Sequence, residues 1–231
     1  MNSKKKTARV AGVLYLIVVL TGIFSLGYVP SKLIVWESPS TTFQNITASE
    51  TLFRLGIFAS IICYITFLIL PLFLYKLLHE IHKSYAITMV LLATISVPIS
   101  LINLANKFAI LTLIGKTDYI SIMQPAEIQE QVMLHLYYYS HGVQIVSLFW
   151  GLWLLPFGYL VFKSGQLPKI LGVFLMVGCA GYLINFTGKF LSAVYLESGI
   201  SKFIAMPATI GEIGICLWLL ILGIKEKKLP E

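Results

Sequence analysis

Charge is what this sequence has least of: only 12% of its 231 residues are Asp, Glu, Lys or Arg. A soluble domain carries about 25%, so half of the polar cover that a water-facing surface needs is missing. Disorder is excluded on related grounds, because disordered chains are charged and poor in aromatics, whereas 13% of this chain is aromatic and 58% hydrophobic. Cysteine is scarce too. Cys63, Cys179 and Cys216 lie singly within apolar runs, which fits small core residues and argues against a disulfide framework or a cysteine metal cage. No G-x-S-x-G, phosphate-binding loop or dinucleotide fingerprint occurs. His79-Glu80-Ile81-His82 falls one residue short of H-E-x-x-H, and His135 and His141 stand too far apart on one helix to share a metal. Neither a metal nor a cofactor is expected.

What the sequence does have is long stretches almost free of charge. They define six spans, at 10–29, 53–76, 85–113, 133–162, 168–192 and 203–224. A helix needs about 20 predominantly apolar residues to cross the hydrocarbon core, and continuous apolarity without alternation argues against a membrane barrel. The expected fold is all-α, an integral bundle of six transmembrane helices forming one domain over 1–231. Turn residues mark the breaks: Pro30-Ser31, Ser38-Pro39-Ser40 and the basic turn Lys163-Ser164-Gly165-Gln166-Leu167-Pro168-Lys169. Thr47-Ala48-Ser49-Glu50 is expected to cap a short helix before the second span. Gln124-Pro125-Ala126-Glu127 opens a helical lead into the fourth.

The net charge of +7 is explained by where it falls. With the N-terminus cytoplasmic, Lys4, Lys5, Lys6, Arg9, Lys76, Lys83, Lys163, Lys169, Lys225, Lys227 and Lys228 lie inside, against Lys32, Arg54, Lys116 and Lys202 outside. This bias places both termini in the cytoplasm and the protein in the plasma membrane. The positive charge therefore reports topology and contact with anionic lipids, not nucleic acid. Lys4–Lys6 before an apolar run also fits a signal peptide, but no A-x-A-like site follows and the run is long for that role. A retained first helix is expected.

One segment recurs. Leu101-Ile102-Asn103-Leu104-Ala105-Asn106-Lys107-Phe108 and Leu183-Ile184-Asn185-Phe186-Thr187-Gly188-Lys189-Phe190 both read L-I-N-x-x-x-K-F, late in the third and fifth spans. Leu70-Pro71-Leu72-Phe73 matches Leu155-Pro156-Phe157 upstream, and Arg9-x-x-Gly12-Val13 matches Lys169-x-x-Gly172-Val173. Leu152-Trp153-Leu154-Leu155 matches Leu217-Trp218-Leu219-Leu220. The pattern suggests parallel helical-hairpin repeats.

Ionisable groups within spans are expensive and usually face the bundle interior or a wet cavity. Glu212 is the sharpest case: a carboxylate there must be neutral, hydrated or paired, with Lys107 and Lys189 as the obvious partners. Asn103 and Lys107 are four apart, as are Asn185 and Lys189, so each pair shares a helix face. Taken singly, each lysine can instead snorkel outwards. Arg54 stands at the outer entrance of the second span, and His141 and Gln144 share a face of the fourth. Tyr137, Tyr138 and Tyr139 fit an interfacial aromatic belt.

Ala8-Arg9-Val10-Ala11-Gly12-Val13-Leu14-Tyr15-Leu16 resembles the opening of a bacterial membrane family known as domain of unknown function 4386. Pro207-Ala208-Thr209-Ile210-Gly211-Glu212, followed by Leu217-Trp218-Leu219-Leu220, is similar to that family's ending. The resemblance implies a six-helix integral membrane protein and carries no activity with it. From the residues themselves, the leading expectation is a small ligand-binding or transport bundle. Its polar site would face outward, lined by Arg54, Asn103, Lys107, His141, Gln144, Asn185, Lys189 and Glu212, and three bases against one acid favour an anionic or zwitterionic ligand such as a lipid headgroup. One alternative is an intramembrane enzyme with His141 and Glu212 as acid and base; another is an accessory subunit in which the polar groups only fix helix packing.

Overall fold

A computed structural model describes residues 3–115, 123–192, 194–195 and 199–224. Lys116, Lys225, Lys227 and Lys228, used above to assign orientation, lie outside the described residues, as do Asp118 and Glu197. Helices follow one another in the order α1 (Ser3–Gly22), α2 (Val29–Leu33), α3 (Pro39–Ala48), α4 (Glu50–Leu78), α5 (Lys83–Asn103), α6 (Ala105–Ile114), α7 (Pro125–Leu152), α8 (Leu154–Ser164), α9 (Lys169–Leu191) and α10 (Ile200–Ile221). Among the described residues there is no strand. Six stretches are long and apolar enough to cross a membrane: Lys4–Leu33, Glu50–Leu78, Lys83–Ile114, Pro125–Ser164, Lys169–Leu191 and Ile200–Ile221. The protein is thus an all-helical, membrane-embedded chain, as its composition requires.

The irregularities have local causes. Pro30 has no N–H to offer the carbonyl one turn back, and its ring crowds that carbonyl. The first span accommodates it by widening into a π-helical turn over Ile23–Tyr28. Pro156 acts likewise on the fourth span, which is interrupted at Trp153, next to the residue four positions before the proline. The third span breaks at Leu104 for another reason. The Asn106 side chain donates to the Asn103 carbonyl at 3.2 Å, and the Lys107 amide tightens onto Leu104 O instead, at 2.9 Å. The short helix before the second span is present, but its N-cap is Ser38, whose Oγ accepts from the Thr41 amide at 3.3 Å. Thr47, expected as a cap, donates back to Phe43 O within α3, and Ser49 follows the helix end.

The chain divides into two compact units, each assembled from separated segments. The first comprises 1–17, 65–97 and 145–231; the second comprises 18–64 and 98–144. In lipid, apolar burial brings no hydrophobic gain, so helices are held by close backbone approach and polar bonds. The first unit shows this at Gly12, where an added Cβ would come within 2.5 Å of the Leu220 amide nitrogen. At the equivalent glycine of the repeat, Gly172, an added Cβ would come within 2.6 Å of the Gly158 carbonyl oxygen and 2.8 Å of the Phe162 amide nitrogen. Trp153 is fully buried there, its ring meeting those of Phe67 and Phe157, both at 5.1 Å, and Tyr15 at 6.3 Å. The second unit has an aliphatic core of Val29, Leu33, Ile46, Ile57, Ile110, Val132 and Leu136, joined by Phe53 and Met133.

Candidate functional site

Within the second unit, a polar ladder joins the α5–α6 break to α7. Asn103 Nδ2 donates to the Tyr139 carbonyl at 2.9 Å. Asn106 Nδ2 donates to Asn103 Oδ1 at 3.2 Å, and His135 Nδ1 lies 3.3 Å from Asn106 Oδ1, a bond that requires the Nδ1–H tautomer. His135 and Tyr139 stand one turn apart on α7, so both rungs meet the same helix face. Gly142 makes room for the ladder, because a Cβ there would collide with the Asn103 carboxamide.

Lys107 sits one turn beyond Asn103 and on the side of Ile110, which belongs to the aliphatic core. It is only 4% exposed. Its Nζ lies 4.1 Å from the centroid of the Tyr139 ring, a cation–π contact. No carboxylate pairs with it among the described residues, where ion pairs join Lys4 to Glu80 and Arg54 to Glu50. Tyr139 is 7% exposed and its hydroxyl has no hydrogen-bond partner among the described residues. The hydroxyls of Tyr64 and Ser60 lie close to it. The Ser25 hydroxyl, in the π-helical turn of the same unit, is likewise buried without a partner. Among its described residues this unit therefore holds a buried ammonium without a counter-ion together with two unused hydroxyls. Such groups are costly unless something satisfies them.

The first unit carries the other half of the repeat. Asn185 Nδ2 donates to the Ser201 carbonyl at 3.0 Å, just as Asn103 does to Tyr139. In both cases an asparagine late in one span clamps a backbone carbonyl of the next. Asn185 Oδ1 accepts from the Tyr195 hydroxyl at 2.6 Å. The lysines, however, differ: Lys189 is exposed whereas Lys107 is buried. Glu212 is half-buried on α10 and accepts a hydrogen bond from the Tyr15 hydroxyl at 3.1 Å. Its partner is thus a phenol of α1, and neither lysine that the sequence suggested.

The remaining expected site residues fall as follows. Arg54 is exposed and held by Glu50, with 2.6 Å between guanidinium and carboxylate. His141 is exposed, on the opposite side of α7 from buried Tyr139 and Val146. Gln144 is half-buried. Asn103 and Lys107 come together with residues that sequence reasoning passed over: Asn106, His135 and above all Tyr139. Tyr137 and Tyr138 are exposed, as a belt requires, but Tyr139 points inward. Tyr139 continues the buried stripe of Val132 and Leu136, but Leu134 and Ile145 on the same helix are as apolar and exposed, so hydropathy does not mark that face. Tyr15, the partner of Glu212, lies in the opening motif itself. Chemically, the Lys107–Tyr139 cluster offers one cationic group, an aromatic face and hydroxyl donors, a set suited to holding an anion. Among the described residues, no group of three or more His, Cys, Asp or Glu is arranged to hold a metal.

The two motifs that carry the family resemblance are seen here to pack on one another. Gly12 meets Leu220, Cys216 Sγ reaches the Gly12 carbonyl at 3.8 Å, and Tyr15 bonds to Glu212. Comparison with known proteins agrees with that resemblance. An uncharacterised protein of Archaeoglobus fulgidus is 36% identical over 84 residues, covering 36% of this chain and 46% of that one. The matched region thus spans about half the length of that relative. No solved structure matches the chain. The description "Domain of unknown function (DUF4386)" matches residues 10–223, nearly the whole chain, and the protein belongs to that family.

Proposed function

We propose that this protein is a small membrane bundle that binds an anionic ligand, with Lys107 as the group that recognises its charge. The observation that carries this reading is the lysine itself: 4% exposed, without a carboxylate among the described residues, and stacked on a tyrosine whose hydroxyl is unused. An anion at the ammonium, hydrogen-bonded by the Tyr139 hydroxyl, would satisfy both at once. A zwitterion offers the same negative group. The Asn103–Asn106–His135 ladder would act as support, holding α7 so that the Tyr139 ring stays beneath the ammonium.

The charge bias of the sequence supports a plasma-membrane location with both termini cytoplasmic. In that orientation Lys107 lies toward the outer end of its span, so the ligand is either an anionic lipid headgroup or a soluble anion arriving from outside. The acid–base reading of His141 draws no support from an imidazole exposed on α7.

The test is equilibrium binding to the purified protein in nanodiscs. One arm exchanges phosphatidylcholine for phosphatidylglycerol; the other adds inorganic phosphate or acetate. Binding in either arm that disappears in Lys107→Met supports the site and identifies the source. Anion binding that is unchanged in Lys107→Met, or no binding in either arm, removes the proposal.

A further inference from the structure

The first unit contains a second group that the anion reading does not use. The geometry points to Glu212, with the tyrosines around it, as a separate site for a lipophilic organic cation.

The starting point is a carboxylate within a membrane span. Glu212 lies on α10 at the edge between its buried side (Ala208, Gly211 and Ile215) and its exposed side (Thr209, Ile210 and Ile213). With part of its surface exposed, it borders the side of the helix that meets hydrocarbon. Tyr15 supplies one hydrogen bond, at 3.1 Å. Among the described residues no lysine or arginine forms an ion pair with it. One phenol donor leaves most of the acceptor capacity of the carboxylate unused, in a setting where an uncompensated charge is costly.

The surroundings decide the class of cation. A metal ion needs a shell of several oxygen ligands. Here two phenols lie at the carboxylate, Tyr15 on α1 and Tyr182 on α9, the latter within electrostatic reach, and the Trp153 ring stands 6.3 Å from that of Tyr15. Tyr15 and Trp153 are buried, whereas Tyr182 is half-buried, as Glu212 is. A carboxylate beside an aromatic ring, approached through hydrocarbon, suits a bulky cation that needs no hydration shell and gains from a ring face. The site uses residues of the first unit alone and does not depend on the Lys107 reading.

Tetraphenylphosphonium and tetraphenylborate have the same shape and opposite charge, so together they separate charge recognition from partition. With the full-length protein in detergent, equilibrium dialysis should show saturable binding of the phosphonium and much weaker binding of the borate. Glu212→Gln should weaken phosphonium binding about tenfold, and Tyr182→Ala severalfold, while Tyr182→Phe keeps the ring and most of the affinity. Lys107→Met should leave the phosphonium affinity unchanged, so the two sites fail or stand separately; a loss there would overturn the assignment to Glu212. Equal, non-saturable uptake of both probes overturns the proposal without any variant, and so does unchanged affinity in a folded Glu212→Gln protein.

Discussion

Replacing Lys107 by methionine tests the central argument in the absence of any ligand. A lysine charge costs about 3 kcal/mol at full depth in a transmembrane helix on insertion scales; Lys107 lies toward the outer end of its span but is only 4% exposed, so burial imposes most of that cost, and a desolvated cation–π contact returns about 2 kcal/mol. The ring of Tyr139 at 4.1 Å is the compensation that the described residues offer, so the ammonium is left about 1 kcal/mol worse than an apolar side chain of similar length. Lys107→Met should therefore stabilise the ligand-free protein by about 1 kcal/mol, as replacing other buried charges by apolar residues often does. Equilibrium unfolding by SDS in mixed micelles, followed by tryptophan fluorescence, measures this directly. Ligand reverses the order: at about a hundred times its dissociation constant it should add about 2.7 kcal/mol to the wild type and nothing to the variant. If Lys107→Met instead destabilises the ligand-free protein by about 2 kcal/mol or more, the ammonium makes structural bonds and the reasoning fails.

Two further outcomes follow from the packing. Gly142→Ala drives a Cβ into the Asn103 carboxamide and should cost about 2 kcal/mol; Asn103→Ser in the same chain should recover much of that loss, and a double-mutant cycle by the same unfolding assay measures the coupling. His141→Ala, at an exposed position, should change stability by less than about 0.5 kcal/mol and leave anion binding intact in the nanodisc assay; a large effect on either would return His141 to the site.

The six spans were legible because a charge-free run of sufficient length has few alternatives in water or lipid. The proline-linked irregularities at Pro30 and Pro156 follow from a missing amide and a crowding ring. What could not be read was which side of each helix faces inward. In a soluble helix a polar face marks the outside, but here the outside is hydrocarbon, and exposed Ile102, Phe203 and Leu217 look like core residues. Tyr139 therefore reads in the sequence like its neighbours Tyr137 and Tyr138, and His141 like a bundle-facing residue, although it is exposed on α7. Glu212 stood out in the sequence, but its partner did not, because Tyr15 lies at the other end of the chain.

By itself, the sequence determined a membrane-embedded helical chain, its six spans, its family and the repeated L-I-N-x-x-x-K-F segment. The repeat even specified one contact twice, since an asparagine at that helical position reaches a carbonyl of the following span in both copies. The fate of the two lysines was decided only in three dimensions. The shared L-I-N-x-x-x-K-F pattern spaces Lys107 and Lys189 alike from their asparagines, yet Tyr139 packs against one and the other is left exposed. Local sequence sets a side chain's direction along its own helix, whereas burial depends on what distant segments bring against it. That is why a charge that looked duplicated in the sequence becomes, in the folded chain, a single buried ammonium.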